Sequence, residues 1–441
     1  MEKAIDQLGF GLYQYALLGV ATLVAGLSSV ELSLLSVLVP CVTREFGVSP
    51  LEGSVVAIVV CLAQFAGQVP FGYAADFLGR RHTTMLASGV MLCGLAVAAA
   101  APSFWVLCAG HGVIGLSLAG DMAPFVLLQE MLPTRLRGRV SVVVTGSWVV
   151  GSTFAYAAAY IVYRLISPSW RAVTAACGVL PLAAIAVTAC VVEESPRWLL
   201  SRSRESEARR VVRVVARTNT VHPKEEEEAA AASSTPLIAP RTIESPFAYL
   251  ATTRAFYLLN TIWCLFSFAY FGTTILVADR FNTNGQDDCG SYNFAALSIV
   301  AAAEISGYAY AFAFIDAPGR KFVGASGAGV AFAALLAFAS TSSEGILIAA
   351  LARSANGATA AAAWLVAPEL LPTDVRGTGV AVATGFAGLG DALAAFLFWG
   401  IRIPASARIA SIAIADIVSL VAFVLLPRET ARVTLDDAIM I

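Results

Sequence analysis

Charge is what this sequence has least of. Asp, Glu, Lys and Arg make up 13% of its 441 residues against 58% hydrophobic residues, a balance that leaves too little polar surface to coat a water-soluble core of this size. The charges nearly cancel, with 28 basic and 30 acidic residues for a formal net charge of −2. No basic surface therefore calls for nucleic acid, and the arginines matter by position rather than by sum. Three histidines (His82, His111 and His222) and eight scattered cysteines without a C-x-x-C pair offer no metal-ligand spacing. No nucleophile is accompanied by a base and an orienting acid, so an enzyme is not expected, and no cofactor is called for. A Walker loop and a dinucleotide fingerprint are both absent, which speaks against ATP-driven transport. There is no N-x-Ser/Thr sequon and no cleavable signal at the N-terminus.

What the chain has in abundance is apolar runs of membrane length. Windows of about 20 residues give about twelve spans. The first six fall near residues 15–40, 52–75, 83–101, 104–131, 138–164 and 171–192, and the second six near 255–279, 292–316, 321–340, 345–371, 377–400 and 408–427. The expected fold is an all-α membrane protein of twelve transmembrane helices in two pseudo-symmetric six-helix bundles. Its expected organisation is a bundle over 1–192, a loop over 193–254 and a second bundle with a short tail over 255–441. Most arginines fall on one side of these spans, which predicts that both termini and the central loop are cytoplasmic. Within that loop, a basic helix-compatible stretch to about Arg217 gives way to an acidic run, Lys224 to Glu228, and then Ser233 and Pro236, the composition of a solvated linker. Cys41 and Cys289 should lie near the opposite surface, where two unpaired thiols are favoured over a disulfide.

The hydrophilic breaks repeat. Residues 72–81 set Asp76, Gly79, Arg80 and Arg81 between the second and third spans, and residues 316–321 set Asp316, Gly319, Arg320 and Lys321 between the eighth and ninth. Glycine permits the tight reversal while the charged groups stay at the water boundary. The fourth span ends at Glu130, followed by Pro133, Arg137 and Gly138; the tenth ends at Glu369, followed by Pro372, Arg376 and Gly377 at the same spacing. From Glu130 to Glu369 is 239 residues, and matched blocks at a fixed offset imply a duplicated bundle with a solute site between the halves near the midplane. Asp76, Glu130 and Glu369 with Arg80, Arg81, Arg137, Arg197, Arg320 and Arg376 read as a gate of ion pairs that part when that side opens. Topology anchoring and helix termination would use the same residues. Each exposed pair is worth about 0–1 kcal/mol, so a network is needed to bias a conformational equilibrium.

Within the spans, Glu31, His111, Asp121, Glu304, Arg353, Asp391 and Asp416 stand in hydrocarbon-length sequence. Burying a charge there costs at least about 2.5 kcal/mol, so each is expected to face a cavity or a partner. Glu31, Asp121, Arg353 and Asp391 are assigned to a central cavity. A helix-to-helix hydrogen bond would suffice for His111 and Glu304, and Asp416 belongs to a peripheral last span. The seventh span gathers Trp263, Phe266, Phe268, Tyr270 and Phe271; of these Tyr270 is the expected contact for a flat or cationic ligand, because its hydroxyl needs a partner. Glycines of the fourth and eleventh spans, Gly388 and Gly390 among them, are packing positions.

Residues 72–81 look like the signature loop of the major facilitator superfamily. Taken with residues 8–14, Glu31, 130–138, 194–199, 263–272, 303–307 and 368–379, they resemble the synaptic vesicle two-related carriers, a group similar to the organic cation and organic anion transporters and more distantly to the sugar porters. The resemblance implies a twelve-helix alternating-access carrier. It further implies that Asp76, Arg80, Glu130, Arg137, Glu194, Arg197, Glu369 and Arg376 form an inner charge network, and that Glu31, Tyr270, Arg353 and the eleventh span face the path. The chain departs from the pattern at Ser28, where an acid is expected, at His111, where an arginine is expected, and at Gly388, the charge-selecting position, with Asp391 one turn later. The glutamine-rich pattern of sugar porters is missing from the seventh span, which demotes a hexose.

The resulting expectation is a secondary active or facilitative transporter, working as a monomer in a lipid bilayer, for a small polar or charged organic solute. Cationic or zwitterionic substrates are favoured because membrane acids outnumber Arg353, and protons are a candidate coupling ion. The substrate-contact set is Glu31, Asp121, Tyr270, Arg353 and Asp391. The gating set is Asp76, Arg80, Arg81, Glu130, Arg137, Glu194, Arg197, Asp316, Arg320, Glu369 and Arg376. The alternatives are a carrier-shaped receptor or vesicle trafficking protein that moves nothing and, within transport, an organic anion or inorganic ion carrier.

Overall fold

A computed structural model describes the chain apart from residues 1, 134–135, 167–168, 221–251, 283–291, 341–344, 372 and 431–441. Twelve helices are long and apolar enough to cross a membrane. The first six are Leu12–Glu45, Pro50–Leu78, Arg80–Ala99, Phe104–Glu130, Arg137–Ile166 and Trp170–Val191; the second six are Arg254–Arg280, Phe294–Phe314, Arg320–Ser340, Ile346–Leu370, Gly379–Gly400 and Ala405–Leu425. They form two six-helix bundles, and the described residues contain no strand beyond one isolated bridge between Asn282 and Tyr292. The end that carries Leu12, Glu130 and Leu425 is called here the terminal end, and the other the far end.

Hydrocarbon gives helices no hydrophobic reason to associate, so close packing of small residues does the work. In the first bundle Gly151 of the fifth span lies against the Gly26 carbonyl of the first. Between bundles the second span packs along the eleventh and the fifth along the eighth. At Gly388 a Cβ would stand 2.9 Å from the Cys61 carbonyl oxygen, and Gly390 lies against the Cys264 carbonyl. Any larger residue at either position would force the helices apart. At the far end Tyr163 stacks on Phe294 across the bundles, with centroids 5.5 Å apart and planes 7° off parallel, and one buried apolar cluster runs from the first bundle into Phe281, Phe398 and Trp399 of the second. That end is sealed.

Several spans are interrupted. The fourth breaks between Leu118 and Met122, the eighth at Glu304, and both the fifth and the eleventh end in a π turn, at Val162–Ile166 and Phe396–Gly400. Freed backbone groups are tolerated at membrane depth where they line a cavity or are covered by protein. Among the described residues three short helices lie at the terminal end: Glu2–Leu8, Pro196–Ser201 and Glu205–Thr218. The last buries Ala208, Val211, Val212, Val215 and Ala216 along one face and turns its arginines outward. Asn219, which caps it, accepts from the Tyr13 amide at 3.1 Å and donates to Gln14 Oε1 at 2.7 Å, tying the loop to the first span.

One thiol expectation is corrected. Cys41, buried near the far end of the first span, is disulfide-bonded rather than free, while Cys61, Cys93, Cys108, Cys177, Cys190 and Cys264 are free thiols. Cys289 and the acidic linker lie outside the described residues.

Candidate functional site

Between the bundles lies a cavity of about 50 Å³. The first half contributes Ser28, Gln64, Gln68, Asp121 and Trp148, and the second Trp263, Phe266, Tyr270, Trp364, Thr384 and Asp391. Asp121 sits at the break in the fourth span, where its carboxylate Oδ2 accepts from the Ser28 hydroxyl at 3.1 Å. The serine at the position where an acid was expected thus supports an acid on another helix. Asp391 projects from the eleventh span and makes no hydrogen bond or ion pair among the described residues. The walls are aromatic: Trp148 meets Tyr270 edge to face at 5.5 Å across the halves, and Phe266 lies 5.9 Å from the same ring.

Of the five residues assigned to solute contact, Asp121, Tyr270 and Asp391 line the cavity. Glu31 and Arg353 stand behind it in buried pairs. Glu31 Oε1 is 2.6 Å from His111 Nδ1, both side chains being at most 1% exposed. Arg353 donates to Glu304 at 2.8 Å, to the Tyr270 hydroxyl oxygen at 2.9 Å and to Thr274 Oγ1, and its guanidinium lies 4.4 Å from the Tyr270 ring centroid. Tyr270 in turn donates its phenolic proton to Glu304 at 2.9 Å. The duplication explains the placement, for Glu31 and Tyr270 are 239 residues apart, as Glu130 and Glu369 are. Each bundle therefore joins its first helix to its fourth through a buried polar pair, and in the second Glu304 joins that pair from the break in the eighth span. Isolated charges at this depth would cost several kcal/mol each, which these partners offset.

At the terminal end the two signature loops fold alike. Gly79 and Gly319 have φ of +96° and +105°, backbone that L side chains rarely adopt. In the first half Arg80 Nη2 is 3.4 Å from both Asp76 and Glu130. In the second Arg320 reaches Asp316 at 2.8 Å and grips Glu369 through two bonds of 3.1 Å. A carboxylate then caps the following helix in each half. Glu194 accepts from the Arg80 and Arg81 amides at 3.0 and 3.1 Å, and Glu429 from the Arg320 and Lys321 amides at 2.8 and 3.0 Å. A negative group at a helix N-terminus satisfies orphan donors and complements the dipole. Arg137 opens the fifth span and Arg197 lies in the short helix Pro196–Ser201, at this same end; the Arg376 side chain lies outside the described residues. Arg80, Glu130, Arg320 and Glu369 are thus paired within their own halves. Arg139 and Asp316 stand across the halves at 3.8 Å, both exposed. Glu429→Ala is accordingly expected to destabilise the second half by about 1–2 kcal/mol, read as a lower thermal midpoint in detergent; an unchanged midpoint would contradict the capping role.

Gln64, Gln68, Trp148, Trp364 and Glu429 were not singled out from the sequence. The two glutamines carry a usable signal, since amides four residues apart in an apolar run share one helix face. Glu429 is followed by Thr430 as Glu194 is followed by Ser195, and each carboxylate also accepts from that next amide at 2.9 Å.

A family model described as sugar (and other) transporter matches residues 29–438. Organic cation/carnitine transporter 7 of Arabidopsis thaliana is 26% identical over all of this chain and 96% of its own length. The putative transporter svop-1 of Caenorhabditis elegans is 25% identical over 90% of this chain and 79% of its own, and the synaptic vesicle 2-related protein of Xenopus laevis is 24% identical over 90% and 75%. Among solved structures, the proton:xylose symporter XylE bound to 6-bromo-6-deoxy-D-glucose superposes with a TM-score of 0.76 at 18% identity, covering 97% of this chain and 98% of that one.

Proposed function

The chain belongs to the family of sugar and other transporters, and from that membership we propose that it is a secondary carrier for a small organic cation or zwitterion, moved by alternating access between its halves. One observation carries the charge preference. Asp121 of the first half and Asp391 of the second line the same aromatic-walled cavity, while Arg353 is engaged by Glu304 behind Tyr270. A cationic group between two carboxylates and beside tryptophan and tyrosine faces gains charge pairing and about 0.5–2 kcal/mol from each cation–π contact. Gln64, Gln68 and Thr384 supply donors and acceptors for a neutral polar group on the same solute. The name of the Arabidopsis relative supports an organic cation or carnitine-like class. The arginine-rich loops support cytoplasmic termini, and a cavity formed between two halves of one chain supports a monomer.

Proton coupling is assigned to the Glu31–His111 pair. Its carboxylate and imidazole meet directly at 2.6 Å with no guanidinium between them, unlike the Arg353–Glu304 pair. The test is uptake of a panel of labelled ammonium, zwitterionic, anionic and sugar solutes into proteoliposomes, with and without a pH gradient. Ammonium or zwitterionic solutes are expected to enter and the gradient to raise their accumulation. In His111→Gln, gradient-driven accumulation should disappear while solute exchange persists. Movement of sugars or anions alone would overturn the substrate class, and unchanged accumulation in His111→Gln the coupling site.

A further inference from the structure

A second cavity, of about 250 Å³, is set into the sealed far end. Its apolar walls come from both halves: Val39, Pro40 and Pro50 from the first, Phe398 and Trp399 from the second. Two arginines, Arg402 and Arg408, line it against one acid, Asp279, so the lining carries a net positive charge. The central cavity, lined by Asp121 and Asp391, has the opposite sign.

The polar groups here are short of acceptors. Trp399 is 7% exposed and packs edge to face on Phe271 at 5.7 Å, yet its indole Nε1–H is buried with no acceptor among the described residues. Such a donor is costly to leave unmade and usually marks a missing partner. Arg408 donates from Nε to the Ile403 carbonyl at 2.9 Å and from Nη1 to Asp279 at 2.6 Å; its Nη2 donates to no described residue. Its guanidinium also lies 5.8 Å from the Phe398 ring centroid. Arg402 is exposed, which places the cavity mouth on the far-side solution. A carboxylate has two oxygens and can take an indole N–H and a guanidinium together. At about 30 Å³ per water the space holds about eight waters, or one flat molecule of benzoate's size between the rings and the prolines.

We propose that this cavity is a second binding site, separate from the central one, which takes a small flat monocarboxylate from the far-side solution and holds it between the halves. Occupancy is independent of what the central cavity moves, and it is read without any transported solute. Binding of labelled benzoate to the purified full chain in detergent tests it. The parent is expected to bind benzoate saturably, benzamide to compete at least about tenfold more weakly, and benzylamine to leave the label in place. Trp399→Phe keeps a ring and removes the donor, and should weaken benzoate binding by about tenfold. Arg402→Gln removes a charge from an exposed turn and should weaken it by a similar factor, while Gln68→Ala, on the central cavity wall, should stay within about twofold of the parent. Each variant is first checked for a normal thermal midpoint, so that Arg402→Gln decides if Trp399→Phe folds poorly. Weaker binding in either folded far-end variant, with Gln68→Ala unchanged, upholds the site. No saturable benzoate binding, unchanged affinity in both far-end variants, or a loss in Gln68→Ala that places benzoate in the central cavity would overturn it.

Discussion

Asp391→Asn is expected to lower uptake of an ammonium solute by roughly 100-fold or more at subsaturating concentration. The substitution keeps the size of the side chain and removes its charge in a cavity that is largely desolvated. Truncating one partner of a desolvated, hydrogen-bonded charge pair costs about 2–5 kcal/mol, and tenfold corresponds to 1.4 kcal/mol. Asp391 has no partner among the described residues, which leaves its carboxyl open to a group on the solute. Asp121→Asn should lose less, because its carboxylate is already supported by the Ser28 hydroxyl. Asp391→Glu should retain part of the activity, and the folded fraction recovered in detergent should be normal in all three. Full cation uptake in Asp391→Asn would sink the assignment of the cavity to cations.

The second large effect concerns stability. Replacing one member of the Arg353–Glu304 pair leaves the other charge buried at membrane depth, at a cost of about 3–5 kcal/mol. Arg353→Met and Glu304→Gln should each depress the thermal midpoint sharply or reduce the yield of folded protein. The double variant should recover most of the loss, because two neutral groups of similar bulk carry no uncompensated charge. Tyr270 and Thr274 are also bonded to the pair, so Tyr270→Phe is the smaller perturbation of the same network. Additive losses in the double variant would mean that the two side chains do not act as a pair.

Hydropathy and the repeated loops sufficed to read the helices, because apolar length and boundary arginines are set by the bilayer itself. The rotation of each helix about its axis is a different matter. Glu31 and Asp121 look alike in the sequence, since an acid in hydrocarbon is equally relieved by a cavity or by a neighbour, yet one is locked to His111 and the other faces the cavity. Arg353 likewise turns to Glu304, a partner 49 residues away that sits at a helix break. The disulfide at Cys41 is likewise not encoded in periodicity.

The cavity of about 50 Å³ has a consequence for the membrane that hosts the carrier. Such a space admits no more than a handful of water molecules. In the carrier proposed above, an empty return through this arrangement takes only those few waters along.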